Sequence, residues 1–213
     1  SYEKRISEDG GKIDLTNIKW VESPFGAVSI YEDPIKGHPY FISNDPAMGG
    51  NDYWATQVFD NNTCHQVAVF HKSGCDADEA AYQAVCLYKH FGICMLSGET
   101  NTTSYLLETA NKCGVKNIYQ DQDVEDLSGR YINRFGYKTK QNNRQYMIDL
   151  FVMAFRDNPK IINDLETLEE METFQYIQSG VQNKEKAMAE SGKHDDLVMA
   201  ACGFFLCRTS FTS

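Results

Sequence analysis

Apolar residues fall into short runs over the first third of the chain and then spread to helical spacing. Ala27-Val-Ser-Ile-Tyr31 has strand composition and is followed by the turn signal Glu32-Asp33-Pro34. Pro39-Tyr-Phe-Ile-Ser-Asn-Asp45 reads as a strand that ends in an acid. Pro46 to Asp52 is a loop, and Tyr53–Phe59 and Gln66–His71 are two more strands joined by Asp60-Asn61-Asn62. Sequential strands with short turns predict an antiparallel meander.

After residue 75 the period changes. Asp76 can cap a helix, with Glu79 completing a capping box, and Ala80, Ala81, Ala84, Val85 and Tyr88 form its apolar stripe before Gly92. Ile93–Leu96 is a short strand that runs into Ser97-Gly98-Glu99. A helix starts at Asn101 or Thr102, passes Ala110 and stops at Gly114, and Val115–Tyr119 is a further strand. The pattern predicts a helix from about Arg144 to Arg156, helix or strand over 161–177, and a last apolar helix from near His194. There is no internal repeat and no long linker. Strands first, then strands alternating with helices, predict one mixed α/β domain over residues 1–213, with residues 1–26 as a possible N-terminal arm.

Composition narrows the class. The chain has 213 residues, of which 42% are hydrophobic and 23% charged, as in a globular protein with a core. No run of about 18 apolar residues exists, so no membrane span is expected. The polar start Ser1 to Asp14 carries no secretory signal. The seven cysteines contain no C-x-x-C pair and do not combine with the five histidines at zinc-ligand spacing. They read as reduced thiols of a cytosolic protein. A net charge of −10 argues against general coating of nucleic acid. One stretch opposes the total: Arg130, Arg134, Lys138, Lys140 and Arg144 give five positive charges with no acid between them, and Tyr131, Phe135 and Tyr137 are interleaved. This stretch, with Lys193, is the candidate for phosphate contact.

Three places put acids where they can do chemistry: Asp45 at one strand end, Glu99 at another, and Asp195-Asp196 at the start of the last helix. Strand exits and helix starts are where α/β sheets present reactive groups. Each acid has an ordinary reading too, as a turn former or a helix-cap residue. Together they would repel one another, and a divalent cation is the usual remedy; oxygen ligands suit Mg²⁺ or Mn²⁺. Two such ions could drive phosphodiester hydrolysis without a nucleophilic side chain. Helix geometry places Asp195 about 110° and Asp196 about 150° from the centre of the stripe made by Leu197, Val198, Ala201 and Phe205. Asp195 is therefore expected as the main ligand and Asp196, nearer solvent, as the second. His194, Asp52 and Asn101 are possible auxiliaries.

These motifs resemble the nuclease domain of bacteriophage terminase large subunits. The likeness lies in Asp45-Pro-Ala-Met-Gly-Gly-Asn-Asp52, Glu99-Thr-Asn101 and Gly192-Lys-His-Asp-Asp-Leu-Val-Met-Ala200, supported by Phe135-Gly-Tyr-Lys-Thr-Lys140 and Glu166–Phe174. It spans about residues 27–206. One departure is Thr102-Thr-Ser104, where the family often has a glycine. The resemblance implies an RNase H-like fold and a metal-dependent endonuclease that cuts concatemeric double-stranded phage DNA during packaging, in the cytoplasm of the infected host cell. It assigns the metal ligands to Asp45, Glu99, Asp195 and the adjacent Asp196. It also implies partners: an ATPase domain in the full-length chain, the portal and the small terminase subunit. No phosphate-loop motif occurs in this sequence, since Gly11-Lys12 and Gly192-Lys193 are followed by Ile and His. The chain is thus expected to cut DNA but not to pump it. Two other readings stay open: an RNase H-like resolvase or transposase, and a non-enzymatic docking domain.

Overall fold

The computed structural model describes residues 20–47, 52–124, 130–179, 184–190 and 194–211. Its centre is a five-stranded mixed sheet in the order β1-β4-β3-β2-β5. The strands are β1 (Val28–Ile30), β2 (Tyr40–Asp45), β3 (Tyr53–Asp60), β4 (Gln66–Ser73) and β5 (Cys94–Gly98). The expected meander is present: β2, β3 and β4 pair antiparallel in sequence, and β1 adds antiparallel to β4. β5 returns beside β2 in parallel, through α1 (Ala77–Phe91). Asp76 caps α1 by accepting a hydrogen bond from Glu79 N, as its capping pattern predicts.

Alternation along the strands sends side chains to two cores. Tyr40, Ile42, Val58, Phe70 and Leu96 meet α1 and α2 (Tyr105–Lys112) on one face. Phe41 and Phe59 meet α3 (Gln141–Asp157) and α5 (Asp196–Cys207) on the other. β2 is therefore buried on both faces, which places its end deep between helical layers. Among the described residues no helix is long and apolar enough to cross a membrane. All seven cysteines are free thiols.

Four segments differ from the sequence expectation. Val115–Tyr119 makes only a single parallel bridge, Leu96 to Ile118, because β5 is short and the chain leaves its edge at once. The second helix starts at Tyr105, three or four residues later than expected, with Ser104 as its N-cap residue. The basic stretch contains β7 (Tyr131–Phe135), which forms a hairpin with β6 (Gln120–Val124). The ambiguous acidic stretch is both structures in turn: α4 (Leu165–Thr173), then β8 (Phe174–Ser179), which pairs with β9 (Lys184–Ala189). Of the proposed arm, residues 1–19 lie outside the described residues.

Candidate functional site

The parallel pairing of β2 and β5 brings two strand ends side by side. Asn44 is in register with Gly98, and Glu99 N donates to Asn44 O at 3.0 Å. Asp45 and Glu99 thus leave adjacent strands at the same level. The junction is tight: a Cβ on Gly98 would lie 3.3 Å from Asn44 Cβ. Asn44 is buried and braces both neighbours, donating to Ser97 O at 2.6 Å and accepting from the Thr56 hydroxyl. Beyond β5, Tyr137 N donates to Gly98 O and Thr100 N to Tyr137 O. The Phe135-Gly-Tyr-Lys motif therefore lies along the sheet edge at the site, where Gly136 adopts φ +77°.

A buried polar network positions the third element, the start of α5. Gln57 on β3 donates to Leu197 O at 2.8 Å and to the Thr167 hydroxyl at 3.2 Å. Gln66 donates to Gln57 Oε1 at 2.9 Å, and its own Oε1 accepts from Asn163 N and Asp164 N. Glu170 of α4 accepts from Leu197 N and Val198 N at 2.9 and 3.1 Å through one oxygen, satisfying two of the helix's orphan donors. The N-terminus of α5 is held from below by the sheet and from the side by α4.

The result is a cleft of about 400 Å³ lined by Asp45, Asp52, Glu99, Asn101, Arg144, His194, Asp195 and Asp196, with Pro46, Thr102 and Met199. All four acids expected from the sequence converge there, together with the three proposed auxiliaries. Asp52 accepts from Tyr53 N, and Asn101 donates to Thr139 O at 2.7 Å, so the Asn101 side chain ties the two loops that flank the cleft. His194 is half-exposed, with Nδ1 3.4 Å from Asp196 Oδ2 and its ring edge-on to Tyr53.

The relative placing of Asp195 and Asp196 differs from the helical-wheel expectation. Asp196 has a side-chain exposure of 13%, against 29% for Asp195. The wheel argument needs one solvent-facing side, and α5 has almost none: nearly every residue from Leu197 to Phe205 is buried by the sheet, α3 and α4. Asp195, the N-cap residue, makes no side-chain cap bond and instead pairs with Arg144 at 3.1 Å. Asp196 Oδ2 is buried and takes no hydrogen bond among the described residues.

The electrostatics follow from this crowding. Burial, then the charge of Glu99 and a hydrogen bond with it, then Asp196 and Asp195, push the Asp45 carboxyl well above the usual range. Asp196 is raised to about 7, first by burial and then by Asp52. Glu170 is raised to about 8 by burial, against the lowering effect of its backbone donors. Burial and like charge thus disfavour the ionised forms of Asp45 and Asp196, and a divalent cation in the cleft would neutralise them. The donor set is oxygen-rich and hard, so it fits Mg²⁺ or Mn²⁺.

The basic stretch is less free than its sequence indicates. Across the hairpin from β7, Asp123 lies 2.8 Å from Lys138 Nζ and 3.5 Å from Arg134 Nε. Those two cations and Lys140 line a small hollow beside the acid cleft, and Arg144 enters the cleft itself. Arg130 is exposed at the start of the hairpin strand, while Lys193 lies outside the described residues. The sequence reading missed Glu170 and His71. Glu170 stood in the acidic run 166–172, but its role needs the helix end that it caps, which is 27 residues away.

No family model matches the sequence. No curated protein matches it either. Solved structures do. The large terminase nuclease from thermophilic phage G20c has a TM-score of 0.66 at 19% identity, covering 88% of this chain and 90% of that one. The fold is that of a large terminase nuclease. The large terminase nuclease domain of Thermus phage P74-26 gives 0.63 at 18% identity, covering 84% of each chain. The G20c nuclease has also been solved with bound magnesium, at a TM-score of 0.66 and 18% identity over 85% of this chain and 87% of that one. At this identity the likeness establishes the α/β, RNase H-like architecture: a mixed sheet with helices on both faces.

Proposed function

We propose that this chain is the endonuclease domain of a phage DNA-packaging terminase, cleaving concatemeric double-stranded DNA by two-metal-ion phosphodiester hydrolysis. The observation that carries the reading is the convergence of Asp45, Glu99, Asp195 and Asp196 in one cleft on a fold shared with terminase nucleases. It is supported by solved nuclease relatives of that fold with bound magnesium, cobalt and zinc. Asp45 and Glu99 would hold one side of the metal centre and Asp196 with Asp195 the other. When bound, the ions supply Lewis-acid polarisation of a phosphodiester and activation of a water at neutral pH.

The chain's own residues have further work. Arg144 offsets the charge of Asp195 and stands where a phosphate would enter, so it can exchange a carboxylate for a phosphate oxygen. Asn101 and the Tyr137 backbone fix the separation of the loops that carry the acids. Lys140, Lys138, Arg134 and Arg130 continue the cationic side along the duplex, and Lys193 would add to it. With a net charge of −10, intrinsic DNA affinity is low, which fits a nuclease that receives its substrate from an ATPase motor in a longer polypeptide. The portal and small terminase subunit are the expected assembly partners, in the infected host's cytoplasm.

The test is plasmid cleavage by the purified chain with Mn²⁺, with Mg²⁺ and with chelator, beside Asp45→Ala. The expected result is cutting that requires metal and is lost in the variant. A folded chain that binds divalent ions in the cleft and leaves both plasmid and linear concatemers intact would overturn the nuclease reading.

A further inference from the structure

On the far side of Asp196 lies a second group of ligand-type atoms. His71 on β4 stacks on Tyr53 at 4.4 Å between ring centroids, with 13% of its side chain exposed. Its Nδ1 is 2.7 Å from Glu166 Oε2. In a neutral ring a carboxylate at that distance accepts the Nδ1 proton, which leaves the lone pair on Nε2 for a cation. Nε2 is buried and takes no hydrogen bond among the described residues. It faces Glu170 Oε1 at 4.0 Å, on the carboxylate whose other oxygen is occupied by Leu197 N and Val198 N.

Asp196 Oδ2 is likewise buried without a hydrogen bond. One ligand atom each from His71, Glu170 and Asp196 lie within 4.8 Å of one another. An imidazole nitrogen and two carboxylates thus share a common space, with His194 Nδ1 beyond hydrogen-bond geometry at 3.4 Å from Asp196 Oδ2, an arrangement that costs free energy unless a cation or extra protons fill it. A solvent-open hollow of about 310 Å³, lined by Tyr53, His71, Glu166, Glu169, Glu170, Thr173 and His194, gives access.

We propose that His71, Glu170 and Asp196 form a second divalent-cation site, adjoining the acid cleft and sharing Asp196 with it, for a borderline first-row ion such as Zn²⁺. One imidazole with two carboxylates is a zinc-type donor set, whereas an all-oxygen set suits Mg²⁺. Glu166 plays the outer role: its hydrogen bond to Nδ1 fixes the tautomer and orients the ring, as carboxylate–histidine–metal arrangements do. Because Asp196 faces both spaces, an ion held here withdraws one carboxylate from the cleft. The site rests on this cluster's geometry and stands whether or not the nuclease reading does.

Zinc chloride titration by calorimetry tests it on three proteins: wild type, the cleft-neutralised Asp45→Asn/Glu99→Gln, and His71→Ala. The cleft-neutralised protein is expected to keep one Zn²⁺ site. X-ray absorption of that complex should show one imidazole nitrogen near 2.0–2.1 Å, the usual Zn–N distance. His71→Ala should bind Zn²⁺ at least about tenfold more weakly and retain wild-type Mn²⁺ binding in the cleft. If His71→Ala loses its circular dichroism, Glu166→Gln serves instead, with about tenfold weaker Zn²⁺ binding expected. No Zn²⁺ site in the cleft-neutralised protein, or unchanged Zn²⁺ affinity without His71 or Glu166, overturns the proposal.

Discussion

Replacing Asp196 by Asn should make the metal-free protein more stable at neutral pH. The carboxyl moves from an ordinary 3.8 to about 7 on folding. At about 1.4 kcal/mol per pH unit, ionising it in the native state costs at most about 4 kcal/mol. Folding raises this pKa, so between about pH 4 and pH 7 the native state keeps a proton that the unfolded chain has released. Stability from this group therefore falls with rising pH across that window and levels off above it. Two terms reduce the gain from the amide. The helix dipole favours an acid at the first position of α5 by about 0.3–1 kcal/mol, and the His194 contact at 3.4 Å is lost. Against this, the amide brings a donor to a place where Oδ2 has no hydrogen bond. A net gain of about 2 kcal/mol remains, or about 4–8 °C in Tm for a domain of this size.

Thermal melts in chelator, followed by circular dichroism from pH 4.5 to pH 8, measure this. Asp196→Asn should melt above wild type at pH 7.5, and the gap should shrink to under about 1 kcal/mol near pH 4.5. Millimolar Mg²⁺ or Mn²⁺ should raise the wild type more than the variant, because only the wild type presents the full ligand set. A variant that melts at or below wild type at pH 7.5 in chelator would refute the reasoning. So would a gap that does not change with pH, since that would be packing and not charge.

Other consequences follow from the same geometry. Gly203→Ala should destabilise by about 1–3 kcal/mol in a denaturant titration, because a Cβ there would overlap the Tyr137 hydroxyl and Ser43 Oγ; the helix-propensity gain of up to about 1 kcal/mol is too small to compensate. Gln66→Ala should cost about 2–3 kcal/mol in the same assay, since it strips the acceptor from the backbone N–H groups of Asn163 and Asp164. Charge reversal at Arg130, Arg134 and Lys140 should lower DNA cutting and flatten its salt dependence, while Asp123→Asn, which frees Lys138 and Arg134 from a carboxylate, should raise DNA affinity in a binding titration. Cutting that ignores the triple reversal would dismiss the hairpin as a DNA contact.

The sheet and its acids were legible because each rests on a local signal. β2, β3 and β4 are short apolar runs bounded by turn residues, and α1 carries its own capping box. Asp45 and Glu99 end strands that sequence order alone makes neighbours once β5 is parallel to β2. The β6–β7 hairpin was not legible, because β6 reads Gln-Asp-Gln-Asp-Val and offers no apolar alternation. Its partner β7 lies in a stretch that reads as a run of charge. The relative burial of Asp195 and Asp196 departs from the wheel for a different reason: a wheel assumes a solvent side, and α5 is enclosed by elements more than twenty residues away in sequence. Asp123 beside the basic stretch and Glu170 at the head of α5 share that cause. Both are charges that tertiary structure brings to a partner which no local pattern names.

The same enclosure explains why four carboxylates remain together. Mutually repelling acids on mobile loops would swing apart and regain hydration. Here the parallel β2–β5 junction fixes Asp45 beside Glu99, and Asn44 braces that junction against two neighbouring strands. Gln57, Gln66, Thr167 and Asp164 hold α4 and the start of α5 against the sheet, so Asp196 cannot retreat without breaking buried hydrogen bonds at about 1–3 kcal/mol each. The geometry is held in this way, and burial first, with the neighbouring acids second, raises the pKa values of Asp45 and Asp196. Arg144 offsets the charge of Asp195 directly, at 3.1 Å. Asp45, Glu99 and Asp196 line the same cleft and are placed for divalent ions. A cleft built this way is least stable when empty and ionised, and each carboxylate that it cannot move apart is one already placed for a cation.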